Sequence, residues 1–240
     1  MKILIMSDVH ANHAALTAVV EDAGVGNKFD HVWCLGDIVN YGPQPKECLE
    51  VVRAISDRTI RGNHDNAVGL GVDCGCSIKY QALADASKEF TRAVLGEEDK
   101  GFLAALPLVD GFEINGQKFL LSHGSPSGDM YMYLKPSVSG STLLGELEGV
   151  NADFVFLGHT HQPMIVKRRK LGNTTIINPG SVGQPRDGSP LASYALWEDG
   201  QVEIKRVEYD LDKTLTSLRD TGLKDTDADL LSKILREGGL

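Results

Sequence analysis

Short apolar runs recur along this chain, and each ends on a cluster of turn formers and polar residues. Ile3–Met6 leads into Ser7-Asp8-Val9-His10, Val32–Leu35 into Gly36-Asp37, and Thr59-Ile60 into Arg61-Gly62-Asn63-His64-Asp65. Phe119–Leu121 leads into Ser122-His123-Gly124, Phe154–Leu157 into Gly158-His159-Thr160-His161, and Thr175–Ile177 into Asn178-Pro179-Gly180-Ser181. Runs of this length bounded by glycine are the pattern of buried strands. Between the early runs the period changes to that of helices. Asn12 can cap a helix through about Ala23, with Leu16, Val19 and Val20 on one face, and Pro45 opens another through about Ile55. Strand and helix in alternation predict parallel βαβ units.

The second half reads as hairpins. Asn115-Gly116 lies between Phe112–Ile114 and Lys118–Leu121, and Asp199-Gly200 between Ser193–Trp197 and Val202–Val207. A looser hairpin turns at Leu171-Gly172-Asn173, between Met164–Val166 and Thr174–Ile177. The expected fold class is α/β, a four-layer α/β/β/α sandwich of two mixed β-sheets with helices outside. A mostly helical insertion is expected at about 67–106 and a short helical tail from about 211. No linker or repeat marks a boundary, so residues 1–240 are expected to form a single domain.

Composition narrows the class. The chain has 240 residues, 42% hydrophobic and 24% charged, which excludes disorder and collagen-like repeats. A unit of this size buries roughly 70–75% of its unfolded surface and needs no disulfide staples. Lys and Arg number 24 against 33 Asp and Glu, a formal charge of −9, which argues against wrapping nucleic acid. A locally positive pocket stays open, because a bound divalent cation inverts the field in a cleft. No apolar run approaches the ~18 residues of a membrane span, and Met1–Met6 meets Asp8 too soon for a signal-peptide core. Cys34, Cys48, Cys74 and Cys76 show no CxxC spacing and no regular framework. A reducing, cytoplasmic setting without membrane partners is expected.

Seven histidines are present, and five of them (His10, His64, His123, His159 and His161) sit just beyond an expected strand. Ligands of open α/β sheets gather beyond the carboxyl ends of the strands, so the polar clusters can converge on one place. Asp8 and His10 are two apart, which in extended chain points both side chains the same way, and His159 and His161 repeat that spacing. Asp37 follows Gly36, where a carboxylate can bridge two cations. Asn63 and His64 are adjacent and face different directions, suiting one as ligand and the other as free acid. Carboxylate, imidazole and amide donors without thiolate suit manganese, iron, zinc, cobalt or nickel.

In these blocks (Asp8-Val9-His10, Gly36-Asp37 with Gly42, Gly62-Asn63-His64-Asp65, His123 and Gly158-His159-Thr160-His161) the chain resembles the calcineurin-like metallophosphoesterases, from about Met1 to Arg186. The resemblance implies a dinuclear centre of two divalent metal ions and a bridging hydroxide nucleophile. One metal would take Asp8, His10 and His161, the other Asn63, His123 and His159, with Asp37 between them. It further implies that His64 donates to the phosphate or protonates the leaving group, with Asp65 orienting its ring. The Asn178–Ser181 loop would support the pocket floor, and Arg186 would join Asn63 and His64 in binding the phosphate.

Protein Ser/Thr phosphatases of this superfamily resemble Gly-Asp-x-x-Asp-Arg-Gly at the second block. This chain has Gly36-Asp37-Ile38-Val39-Asn40-Tyr41-Gly42, without the forked arginine contact that favours dianionic monoesters. A small prokaryotic-type phosphodiesterase is therefore expected. A phosphomonoesterase or nucleotide or dinucleoside polyphosphate phosphatase stays open, as do, less strongly, a nuclease and a non-catalytic scaffold. The expected partner is a small phosphate-ester substrate such as a nucleotide, and a homodimer is compatible with the sequence.

Several features stand outside the blocks. His13 and His31 read as a helix-face and a pre-strand residue. Cys74-Gly75-Cys76 could be a redox or metal pair, but loop is the expected reading, and Lys167-Arg168-Arg169-Lys170 reads as a solvated hairpin tip rather than a phosphate grip. Tyr131 and Tyr133, interleaved with Met130 and Met132, could line a substrate pocket, but core or interface packing is the expected use.

Overall fold

The computed structural model describes residues 1–26, 28–167 and 173–239. In chain order the elements are β1 (Lys2–Met6), α1 (His13–Ala23), β2 (His31–Cys34), α2 (Pro45–Ile55), β3 (Arg58–Thr59), α3 (Asn63–Leu70), α4 (Ile78–Val94) and α5 (Glu97–Ala105). They continue with β4 (Val109–Ile114), β5 (Gln117–Ser122), α6 (Gly140–Glu146), β6 (Phe154–Phe156), β7 (Met164–Lys167), β8 (Thr175–Asn178), β9 (Ala192–Glu198), β10 (Gln201–Val207), α7 (Leu211–Arg219) and α8 (Asp225–Glu237).

These strands form two five-stranded mixed sheets, ordered β10-β9-β1-β2-β3 and β4-β5-β6-β8-β7. β1, β2 and β3 are parallel in the first, and β5, β6 and β8 are parallel in the second. The antiparallel pairs β4–β5, β7–β8 and β9–β10 supply the edges, and the turn expected at Leu171-Gly172 lies outside the described residues. The expected α/β/β/α sandwich is what forms.

The layering follows from alternation along β1. Ile3 and Ile5 point between the sheets, where they pack with Trp33, Phe119, Phe156 and Trp197. Leu4 and Met6 point outward against Leu16 and Val19 of α1 and Leu49 and Val52 of α2. Val155 and Ile176 cover the outer face of the second sheet together with Leu143 of α6. A separate cluster joins Tyr41 and Leu83 to α7 and α8 through Leu215, Leu218, Leu231 and Ile234. Asn12 caps α1 through Ala15 N–H as expected. The segment 67–106 holds the end of α3 with α4 and α5. The basic run lies mostly outside the described residues, with Lys167 ending β7. Among the described residues no helix is long and apolar enough to cross a membrane.

Candidate metal centre

The carboxyl ends of β1, β2, β5, β6 and β8 open at one edge of the sandwich, and the loops beyond them meet there. Asp8, His10, Asp37, Asn63, His123, His159 and His161 all lie in this place, each 3% exposed or less. The convergence expected from strand ends is present. Its local geometry differs from the extended spacing expected for Asp8-x-His10 and His159-x-His161. Asp8 (φ 53°), His10 (φ 46°), Asp37 (φ 54°), His159 (φ 66°) and His161 (φ 56°) are left-handed. Among the described residues ten non-glycine residues have positive φ, and eight belong to these loops. Each costs on the order of 1–3 kcal/mol, a strain that persists at sites where the surroundings over-determine the backbone. The chain turns sharply at these five positions, so their side chains point inward from coils rather than from one strand face.

Surrounding hydrogen bonds impose these turns. Asp8 N–H donates to Gly36 O at 3.0 Å, and His10 N–H donates to Asp37 O at 2.9 Å. Ser181 Oγ donates to Asp8 O at 2.8 Å, and Asn178 Nδ2 donates to Gly158 O at 2.6 Å, so the Asn178–Ser181 loop buttresses the site from below. His64 N–H donates to Asp37 Oδ1 at 2.8 Å. A β-carbon on Gly62 would lie 2.1 Å from that same oxygen, so the α3 N-terminus can approach Asp37 only with glycine there.

Asp65 departs from its expected role. Its carboxylate accepts from the backbone N–H groups of Asp37 (2.8 Å), Ile38 (2.9 Å) and Gly62 (3.1 Å) rather than meeting the His64 ring. It therefore ties α3 to the Asp37 loop. Asn40 orients His64 instead: its Nδ2 donates to His64 Nδ1 at 2.7 Å and to Ala84 O at 3.3 Å. The Ala84 carbonyl fixes which face of the amide carries the N–H groups, and this leaves the His64 proton on Nε2. Nothing in the spacing of Asn40 distinguished it from a loop residue.

The cup donors form two groups whose ligating atoms lie within 4.8 Å of one another, Asp8, His10, Asp37 and His161, and Asp37, His123 and His159; His64, Cys74 and Cys76 make a third such group beside them. His10 Nδ1 faces Val39 O at 3.2 Å, and His161 Nδ1 faces Gln184 O at 2.5 Å, which places both ring protons on Nδ1. The two Nε2 lone pairs then face each other at 3.1 Å, with Asp8 Oδ1 3.4 Å from His161 Nε2 and Asp37 Oδ2 3.7 Å from His10 Nε2. On the other side Asn63 Oδ1 lies 3.2 Å from His123 Nε2 and 3.0 Å from His159 Nδ1. Buried Asp8 Oδ2 and His159 Nε2 make no hydrogen bond to a described residue, and Asp37 Oδ2 lies among the histidine rings, 3.1 Å from His123 Nε2. So many buried acceptors turned on one another fit cations, which would compensate the desolvated charge.

The electrostatics agree. Burial pushes His10, His64 and His159 down to about 3, leaving neutral rings with lone pairs to offer. Burial, with the charge of Asp37 adding to it, pushes Asp8 up to about 7. Burial works against the Asp37 charge too, but His123 and His64 beside it hold Asp37 well below the usual carboxylate range. Burial likewise opposes a charge on His123, and Asp37, 3.1 Å away, overcomes it and holds that ring up at about 9.

A cleft of about 610 Å³ adjoins the centre, lined by Tyr80, Tyr133, Lys135, Thr160, Gln162 and Arg186 among others. A groove of about 710 Å³ between α7 and α8 gathers Asp212, Arg219 and Arg236 but none of the ligating residues. Arg186 lies 4.2 Å over the Tyr80 ring, and its Nη2 donates to Gln184 Oε1 at 2.7 Å. The Tyr133 ring is 4.0 Å from that of His159, so Tyr133 belongs to the site and not to the packing expected of it. Sulfur also reaches the site. Cys74 and Cys76 form a disulfide, and Cys76 Sγ lies 3.4 Å from His64 Nε2, where neither a cysteine pair nor a thiol-derived group was expected. His31 Nδ1 pairs instead with Asp57, away from the centre.

The two mixed sheets thus carry a cup of Asp, Asn and His donors at their strand ends. The chain belongs to the calcineurin-like phosphoesterase superfamily, whose domain it matches over residues 1–199. A metallophosphoesterase from Sphaerobacter thermophilus is 34% identical and superimposes with a TM-score of 0.80, over 97% of this chain and 98% of its own. An uncharacterized protein of Methanocaldococcus jannaschii is 36% identical over 229 residues, 88% of this chain and 89% of its own. A symmetrical bis(5'-nucleosyl)-tetraphosphatase of Glaesserella parasuis is 28% identical over 134 residues, 54% of this chain and 47% of that protein.

Proposed function

We propose that this phosphoesterase is a phosphodiesterase with a dinuclear centre, one cation held by Asp8, His10 and His161 and the other by Asn63, His123 and His159. Asp37 serves both, and one observation carries the reading: Asp37 is the residue common to the two donor groups, with Oδ2 3.1 Å from His123 Nε2 and 3.7 Å from His10 Nε2. Bound there, a pair of divalent cations supplies Lewis-acid stabilisation of the phosphoryl oxygens and lowers the pKa of water enough to make it a nucleophile.

The rest is the work of the chain's own side chains. His64, neutral and carrying its proton on Nε2, donates a hydrogen bond to a phosphoryl or leaving-group oxygen, and Asn40 holds that tautomer. Arg186, stacked on Tyr80 at the rim, keeps guanidinium donors for a phosphate oxygen. The loop Gly36–Gly42 contributes no arginine, which supports a singly charged diester over a dianionic monoester. Hydrolysis of a dinucleoside polyphosphate is the second reading, supported by the likeness to the tetraphosphatase.

The deciding assay compares bis(p-nitrophenyl) phosphate, p-nitrophenyl phosphate and a dinucleoside tetraphosphate with metal-stripped protein titrated with Mn²⁺. Mn-dependent turnover favouring the diester is expected. Preference for the monoester overturns the phosphodiesterase assignment, and selective turnover of the tetraphosphate promotes the second reading.

A further inference from the structure

The Cys74-Gly75-Cys76 turn lies directly on the two functional residues that open α3. Cys74 O accepts from Asn63 Nδ2 at 2.7 Å, fixing the amide whose oxygen faces His123 and His159. Cys76 Sγ is 3.4 Å from His64 Nε2 and 3.7 Å from Tyr41 Oη, while Asn40 occupies His64 Nδ1. The sulfur thus sits on the one ring nitrogen left for substrate.

The turn is held from outside. Gly75 is left-handed (φ +64°), its N–H donates to Asp73 Oδ1 at 2.6 Å, and a β-carbon on it would lie 2.5 Å from the Tyr131 ring. The two cysteine Cα atoms are 5.4 Å apart, within the usual range for a disulfide. Cys74 is buried and Cys76 half-buried, so a reductant meets Cys76 first. Cys34 and Cys48, both unpaired and buried, lack that access.

We propose that Cys74 and Cys76 are a site of reversible oxidation, whose disulfide holds the Cys76 sulfur on His64 Nε2 and whose reduction releases it. The oxidised chain is the slower form. Reduction proceeds by attack of a dithiol's thiolate on Cys76 Sγ, which breaks the Cys74–Cys76 bond; Cys74 leaves as a thiolate and takes a proton. The second thiol of the reductant then attacks the mixed disulfide and releases Cys76, so two electrons and two protons pass from the dithiol to the protein. The proposal leans on the phosphoesterase reading only in its rate measurement.

The test uses the full chain, oxidised with diamide (a diazene that takes up two electrons and two protons) or reduced with a phosphine, each reagent then removed. Alkylatable thiols are counted by mass spectrometry, and the His64 ring resonances are followed by NMR, assigned against His64→Gln. Hydrolysis of bis(p-nitrophenyl) phosphate with Mn²⁺ is measured in both states. Oxidation should remove two thiols, shift the His64 ring resonances and lower kcat by at least about tenfold, part of the ~10²–10⁴ that a positioned proton donor contributes. Cys74→Ser should abolish all three differences between the states. The proposal is overturned if no reducible pair forms, if bound zinc keeps both thiols from the oxidant, or if the disulfide leaves the His64 resonances unmoved. Where neither state hydrolyses the diester, the phosphoesterase reading fails by itself and the ring resonances still decide the redox site.

Discussion

The metal cup and its rim are built on opposite principles. In the cup seven donor residues are buried to 3% exposure or less, their backbones are clamped by neighbouring loops, and five of them sit in left-handed conformations. At the rim Cys76, Tyr80, Tyr133 and Arg186 come from an α3–α4 turn, α4 itself and two irregular segments, and all are half-buried. The cup packs its donors around the buried Asp37 carboxylate, so it tolerates little change. The rim groups are half-buried, and each of their contacts is worth a few kcal/mol or less. This difference orders the expected effects of substitution.

Asp37→Asn should do the most damage, because one residue serves both donor groups. Both metals should be lost and turnover abolished, as read by metal analysis of the purified variant; retention of two tightly bound metals refutes the shared role. His64→Ala should keep the metals and cut turnover by ~10²–10⁴. Loss of metal along with activity would make His64 a metal ligand instead of a proton donor. Asn40→Ala, which frees the His64 tautomer, should cost ~10- to 100-fold in kcat with KM nearly unchanged. An unchanged kcat would mean that the Asn40–His64 hydrogen bond does not set the reactive tautomer.

The cup should also take up metal more tightly as pH rises. Asp8, at about 7, and His123, at about 9, bind protons that must leave before these atoms can ligate. Raising the pH removes the competitor, so affinity should climb by up to about tenfold per pH unit for each displaced proton. Calorimetry in buffers of different ionisation heat counts those protons, and an affinity flat between about pH 6 and 8 contradicts the assignment. The smallest effect belongs to Arg186→Gln at the rim, a rise in KM of about tenfold with kcat retained. A collapse of kcat there would show that Arg186 acts on the transition state rather than on binding.

Much of the cup was legible before folding. Short apolar runs ending in Asp, Asn and His named the strands, and carboxyl ends of parallel strands are where loops converge, so strand ends implied donors in one place. The Gly62 next to Asn63 was visible too, though its reason was not: it lets α3 approach Asp37 Oδ1. The resemblance implied Asp65 as the residue that orients the His64 ring. On the first turn of α3 its carboxylate points back to the Asp37 and Ile38 N–H groups instead. Asn40 carried no spacing signal, and Tyr133 and Cys76 were visible only as residues with a blander expected use, since each reaches the site from a segment whose path depends on packing.

The sequence by itself determined the two sheets, their parallel cores and hairpin edges, and the chemical identity of the donors. Alternation and turn residues act over a few positions, and a side chain's donor atoms do not depend on the fold. Only the tertiary structure decided which donors share Asp37, which way each histidine tautomer points, and that a cysteine pair rests on His64. Those outcomes depend on distances between residues from 12 to 151 positions apart, set by how the two sheets and α3 pack together.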